Sequence, residues 1–334
     1  MKLVLSVIML LLFACDGTDN SETVYSNSWV FVANEGNMGD TPGSVSMISE
    51  DGDVVSTDYI GKVVNSVEVY NDKLVALING GYMPNPEDSK IIIYNITTAG
   101  LSMPGIEINL DGSEPREMVI VDNLVYFTNW GTSDVKVFNL YTYDFEASIP
   151  VGSDPEGIIV DGAYLWVANS GDGTVSKIDI SSHSVIDTYS VGDGPQRLIM
   201  NEGTLYVSRT HYDASWNTYH GASKIENGDI MLKSYGAGAP CGGTILSHNL
   251  DVFRSYDGGL ARMDSDLNLE EVSIGLFDQS QVYHIEKINE NFWFAITNYV
   301  DVNEVHVLSS DGIELDVYNV GRNPGDFAFW SYSD

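Results

Sequence analysis

The chain has 334 residues, a formal net charge of -33 and 43% hydrophobic residues. That charge excludes nucleic acid as a partner, because the phosphate backbone would be repelled, and it disfavours an anionic membrane surface. With 32 Gly, 19 Tyr and 11% aromatic residues, the composition excludes a disordered chain and fits a globular protein of strands and turns.

At the N-terminus, Met1-Lys2 precedes an apolar run from Leu3 to Ala14. A helix needs about 20 apolar residues to span a bilayer core, so this run is too short to be a membrane anchor by itself. It ends in Leu12-Phe13-Ala14-Cys15, which looks like a bacterial lipobox. The resemblance implies a signal peptide over 1–14 and a lipid on Cys15, with membrane contact through that lipid only. The polar stretch that follows has the composition of a flexible tether, expected over 15–28. Acidic residues after the Cys resemble the surface-export signals of Bacteroidetes lipoproteins, whereas Asp16 under the enterobacterial rule points to inner-membrane retention. The expected location is the outer membrane, at the cell surface or on the periplasmic face. Of the two cysteines, Cys15 is thereby used, and Cys241 is left without a disulfide partner.

Beyond the tether the sequence repeats. Pro115, Pro155 and Pro195 are spaced by 40 residues, and each opens a short apolar strand such as Pro155-Glu-Gly-Ile-Ile-Val160. A second apolar strand follows each, ending in a polar residue: Leu124–Asn129, Leu165–Asn169 and Leu205–Arg209. A third alternates apolar with polar residues, as in Thr174–Asp179, and a fourth is more polar, as in Val185–Val191. Strands graded from buried to exposed at this period form a propeller blade. The second-strand marker recurs at 30–34, 74–79, 250–254 and 292–298, which makes seven. No innermost strand precedes the first marker, while Pro324–Trp330 has the innermost pattern and no marker after it. The pattern predicts an all-β, seven-bladed β-propeller over 29–334, monomeric, with four antiparallel strands per blade. The C-terminal strand completes the first blade and closes the ring.

Tyr126-Phe-Thr-Asn129, Trp166-Val-Ala-Asn169 and Val175-Ser-Lys-Ile-Asp179 resemble the signature of YVTN-type propeller repeats. The likeness is strong in blades three and four and weak in blades two, five and six, where Arg209 and Arg254 replace the usual Asn. Together with the lipobox, the chain is similar to propeller lipoproteins of Bacteroidetes surfaces. That implies a binding protein and, for some members, capture of cobalamin beside a TonB-dependent transporter.

Two classes of loop meet on one face of such a propeller. The Pro-bearing class presents Arg116, Glu117, Glu156, Arg197, Cys241 and Asp326 around the channel mouth. The other class is long in blades one, two and five, and the blade-five loop carries His211, Tyr212, Trp216, Tyr219 and His220. With Tyr82, Met83, Trp130, Tyr256 and Tyr299, this makes an aromatic-rich face. The expected ligand-binding residues are Tyr82, Arg116, Trp130, Glu156, Arg197, His211, Tyr212, Trp216, Tyr219 and Tyr256. The His211 and His220 pair reads as loop histidines rather than metal ligands, and His248 and His284 read as core residues, so neither a metal nor a cofactor is expected. No nucleophile elbow, zinc helix or phosphate loop is present. The chain is therefore read as non-catalytic, capturing a small or medium ligand, a corrinoid by resemblance, for delivery to an outer-membrane transporter. A glycan binder, a protein-interaction scaffold, and a propeller lyase or lactonase using Glu117, Glu156, His211 and Arg197 are the alternatives.

Overall fold

The computed structural model describes residues 24–37, 41–81, 88–110, 112–238, 243–300 and 302–332. Cys15, Tyr82, Met83 and Cys241, and with them the signal segment, lie outside the described residues. The chain forms seven four-stranded antiparallel sheets in a ring, as the repeat predicts. Blade one pairs Pro324–Ser331, from the C-terminus, with Ser28–Asn34, followed outward by Ser44–Ser49 and Val54–Ser56. Ordered contacts begin upstream of residue 29, since Ser26 N donates to Thr98 O (2.7 Å) and Val24 packs on the core. No helix of the described residues is long and apolar enough to cross a membrane.

Burial follows the strand order. In blade four the second strand, Tyr164–Asn169, is buried almost throughout, while the outermost, Ser184–Ser190, is largely exposed. Seven apolar clusters fill the ring, one at each interface between neighbouring blades. Phe31 and Trp29 of blade one meet Leu74 and Ala76 of blade two, and Val30 and Val32 on the opposite face meet Trp293 and Ala295 of blade seven. The cluster between blades five and six is the smallest, built on Ala222, Ile245, Val252, Met263 and Leu267.

The polar residue that ends each second strand is a tie between strands. Asn129 accepts from Glu114 N (2.7 Å) and donates to Thr132 and Asp134, and Asn169 donates to Thr174 and Ser176. In blades five and six the arginines do this work with longer reach. Arg209 donates to Lys233 O (3.0 Å), and the fully buried Arg254 donates to Ser255 O (2.8 Å) and Arg209 O (3.3 Å). No carboxylate pairs with Arg254 among the described residues, and burial pulls its pKa down to about 10. Its guanidinium lies over the Tyr235 ring, 5.3 Å from the centroid.

Closure rests on Trp330, which is 3% exposed in the blade one–two cluster and donates from Nε1 to Asp72 (3.0 Å). Trp330→Ala is expected to cost about 3–5 kcal/mol, read as a shifted denaturation midpoint; an unchanged midpoint would mean that the closing strand is not held by this side chain.

Candidate functional site

The innermost strands begin with a deformation that aims side chains into the channel. In blade three Pro115 pairs with Asn129 and Met118 with Phe127, so one extra residue is accommodated between them. The same shift occurs in blade four (Pro155 and Ile158), blade five (Pro195 and Leu198), blade two (Val64 and Ser66) and blade seven (Val282 and His284). A bulge re-aims the residues it contains, here Arg116-Glu117, Glu156-Gly157 and Gln196-Arg197. Hydroxyls of the second strand satisfy the freed amides: Glu117 N donates to Thr128 Oγ1 (3.1 Å) and Arg197 N to Ser208 Oγ (3.2 Å). Gly157 stands where blades three and five carry Glu117 and Arg197. A Cβ there would meet Gln196 O at 2.2 Å, so only glycine lets blades four and five approach.

These bulges bring a charged ring together around a cavity of about 300 Å³. Arg116 Nε reaches Glu156 (3.1 Å), and Arg197 Nη1 reaches Glu117 (2.5 Å). Tyr283 donates to Glu35, and His284 Nε2 lies 3.2 Å from Glu286. Asp326 accepts from Val67 N (2.8 Å). Glu68, Glu117, Arg197, His284, Glu286 and Asp326 all line the cavity. Burial pushes the carboxyls of Glu35, Glu117 and Asp326 above their ordinary range, against the pull of nearby arginines. Burial also opposes the charge of Arg116, but Glu156 and Glu35 more than offset it and hold its pKa above the usual value. A larger open groove, about 690 Å³, lies on the outer rim beside Phe145 and Lys136, away from this chemistry.

A second feature is the blade-five hairpin. Its strands run on to Tyr212 and restart at Thr218, so the expected long loop is a paired extension, and His211 and His220 are strand residues rather than loop residues. His211 stacks on Tyr219 (5.6 Å, 17°), and Tyr212 leans on Trp216 (6.1 Å, 54°). Asp213 caps the tip, accepting from the amides of Ser215 and Asn217. The same turn recurs in blade six, where Asp264 accepts from the amides of Asp266 and Asn268. In both, the fourth residue has a positive φ, 63° at Trp216 and 61° at Leu267. Leu267 is fully buried, whereas Trp216 is 81% exposed. The turn therefore does not need the indole, and its exposure has no structural purpose that the blade-six copy shares.

The residues expected from sequence thus separate into two groups. Arg116, Glu156 and Arg197 meet in the channel, with Trp130 beneath the Arg116 guanidinium at 4.5 Å. His211, Tyr212, Trp216 and Tyr219 share the hairpin, and Tyr256 instead packs edge-on against Tyr235 (6.4 Å). His284, expected in the core, is a channel residue. Glu68 and Glu286 went unnoticed, because a carboxyl in an alternating strand looks the same whether it faces solvent or a channel, and Glu35, just past the end of the strand Ser28–Asn34, reads as the start of a loop.

No protein-family model and no curated protein matches the chain. Among solved structures it is similar to a proposed 6-phosphogluconolactonase from Bacteroides uniformis, with 11% identity and a TM-score of 0.65 over 91% of this chain and 100% of that one. A second protein so described, from Bacteroides fragilis, gives 12% identity and 0.63 over 91% and 98%. AztD from Citrobacter koseri gives 11% identity and 0.54 over 92% and 98%. At such identities the likeness is one of fold, a propeller. The expectation of a non-catalytic chain is nonetheless corrected, because two of these neighbours bear the names of enzymes and the propeller gives no ground for excluding catalysis.

Among the channel carboxyls, Glu68 is pushed from 4.5 to about 7, first by burial and then by Asp326. A carboxyl raised on folding adds stability that is full below its unfolded value and lost as pH climbs through the folded one. Glu68→Gln keeps the neutral shape. In chelator-treated protein its Tm should exceed the parent's by roughly 2–4 °C at pH 8 and match it at pH 4.5 or below; the same difference at both pH values would refute the assignment.

Proposed function

We propose that the protein works at its channel mouth on a small, hydroxyl-rich molecule, and that it hydrolyses a cyclic ester. The observation that most supports this reading is the Glu117–Arg197 pair, 2.5 Å apart on the wall of the 300 Å³ cavity. That volume sits at the low end of small-molecule sites. The neighbouring carboxyls accept hydrogen bonds from hydroxyls. Glu117 takes a proton from water as that water attacks the carbonyl carbon, and Arg197 donates to the carbonyl oxygen as it gains charge. The ring C–O bond then breaks, and the leaving oxygen receives the proton from Glu117. The names of the two Bacteroides neighbours suggest which esters to try. Glucono-1,5-lactone and its 6-phosphate, followed by acid release, should be opened faster than they open spontaneously, and Glu117→Gln should lower the enzymatic rate by about 10²–10⁴-fold without loss of folding. Spontaneous rates for both lactones would overturn the reading.

The exposed Trp216 favours a second reading, in which the hairpin captures a flat ligand too large for the channel. In this proposal Cys15 carries the lipid that holds the chain at the outer membrane, and the ligand, a corrinoid or a glycan, stacks on Tyr212 and Trp216 before passing to a TonB-dependent transporter. Equilibrium dialysis should then show one cyanocobalamin retained per chain, weakened by about 1–3 kcal/mol in Trp216→Ala, the scale of one stacking contact. No retention removes the corrinoid and leaves glycans to be tested.

A further inference from the structure

We propose that His284, Glu286 and Asp326 bind one divalent first-row metal ion, Zn²⁺ or Mn²⁺, in the channel wall between blades seven and one. His284 and Glu286 stand two residues apart on the strand Val282–Ile288, so both point to the same side of it. Asp326 comes from the adjoining innermost strand, Pro324–Ser331. One donor atom from each of the three lies within 4.8 Å of the other two. A metal with bonds of about 2.0–2.2 Å sets its donors roughly 3–4 Å apart, so side-chain movements of about 1 Å complete the site.

The surroundings hold these ligands in place. The His284 side chain is 6% exposed, and its ring stacks on Phe327 (5.9 Å, 24°). Val67 N fixes one Asp326 oxygen at 2.8 Å, as outer-shell donors do at metal sites. Charge balance points independently to a cation. Of the six carboxyls in the ring, Glu156 and Glu117 hold the two guanidinium groups. Glu35 is satisfied by Tyr283. Glu68, Glu286 and Asp326 are left to line the cavity without an arginine or lysine bridged to any of them among the described residues. A divalent ion neutralises that wall. An imidazole among carboxylates suits Zn²⁺ or Mn²⁺ better than Ca²⁺ or Mg²⁺, which prefer oxygen alone. The inference stands whether or not the channel turns over an ester.

Metal-stripped protein titrated calorimetrically with Zn²⁺, Mn²⁺ and Ca²⁺ tests it, with Mn²⁺ paramagnetic resonance as a second readout. One Zn²⁺ or Mn²⁺ should bind per chain, and Asp326→Asn and Glu286→Gln, shown by circular dichroism to be folded, should each weaken binding at least 10–100-fold. His306 lies on the outer side of blade seven between Glu304 (3.1 Å) and Glu314 (2.8 Å) and is the competing imidazole–carboxylate group. His306→Gln should leave the channel ion in place. Substoichiometric binding, affinity unchanged in both channel variants, loss of the ion in His306→Gln, or preference for Ca²⁺ would each overturn the proposal.

Discussion

A four-stranded blade has two apolar faces and no layer of its own to cover either one. Each face can be buried only against the blade beside it, so no blade is complete until both neighbours are present. The seven interface clusters are this constraint made visible. It explains why Val30 and Phe31, adjacent in one strand, belong to different clusters facing opposite neighbours. Between blades five and six the apolar cluster is the smallest, and there Arg254 reaches across to the backbone carbonyl of Arg209, whose own side chain ties two strands within blade five.

The same ring has a cost at its axis. Seven innermost strands converge there, and the bulges at the starts of six of them turn charged side chains inward rather than leaving an apolar plug. Carboxyls taken out of water must find hydrogen, guanidinium or metal partners, or hold their protons. Three of these outcomes can be read from one circuit of the channel: Tyr283 on Glu35, arginines on Glu117 and Glu156, and the raised pKa of Glu68. Stability has been given up there for a site whose charges are close, buried and unequal.

The fold was legible because it repeats. A period of 40 residues, a proline at four of the innermost starts and a polar residue closing the second strands appear several times, so chance matches average out. The site was only partly legible because it does not repeat. Arg116, Glu156 and Arg197 could be found through the proline beside them, which marks the channel mouth. His284 and Glu286 sit in a strand that opens with Val282 instead, without that marker, and Glu68 sits in one that opens with Val63. The blade-five hairpin misled in the other direction. Its Thr, His, Tyr and Ser residues have the composition of a loop, yet cross-strand pairing of Thr210, His211 and Tyr212 with His220, Tyr219 and Thr218 carries the sheet three residues further.

The partner of the first strand is the last. Ser28–Asn34 pairs with Pro324–Ser331, and Trp29 lies opposite Trp330, across nearly the whole contour of the chain. So remote a pairing raises contact order and slows folding. It also gives the molecule a built-in check on completeness. A chain emerging N-terminus first from a ribosome exposes the edge of its first blade until its final strand arrives. A product cut short by a few dozen residues would keep that edge open and remain a target for proteases and aggregation. Only a chain that carries Pro324–Ser331 can lock.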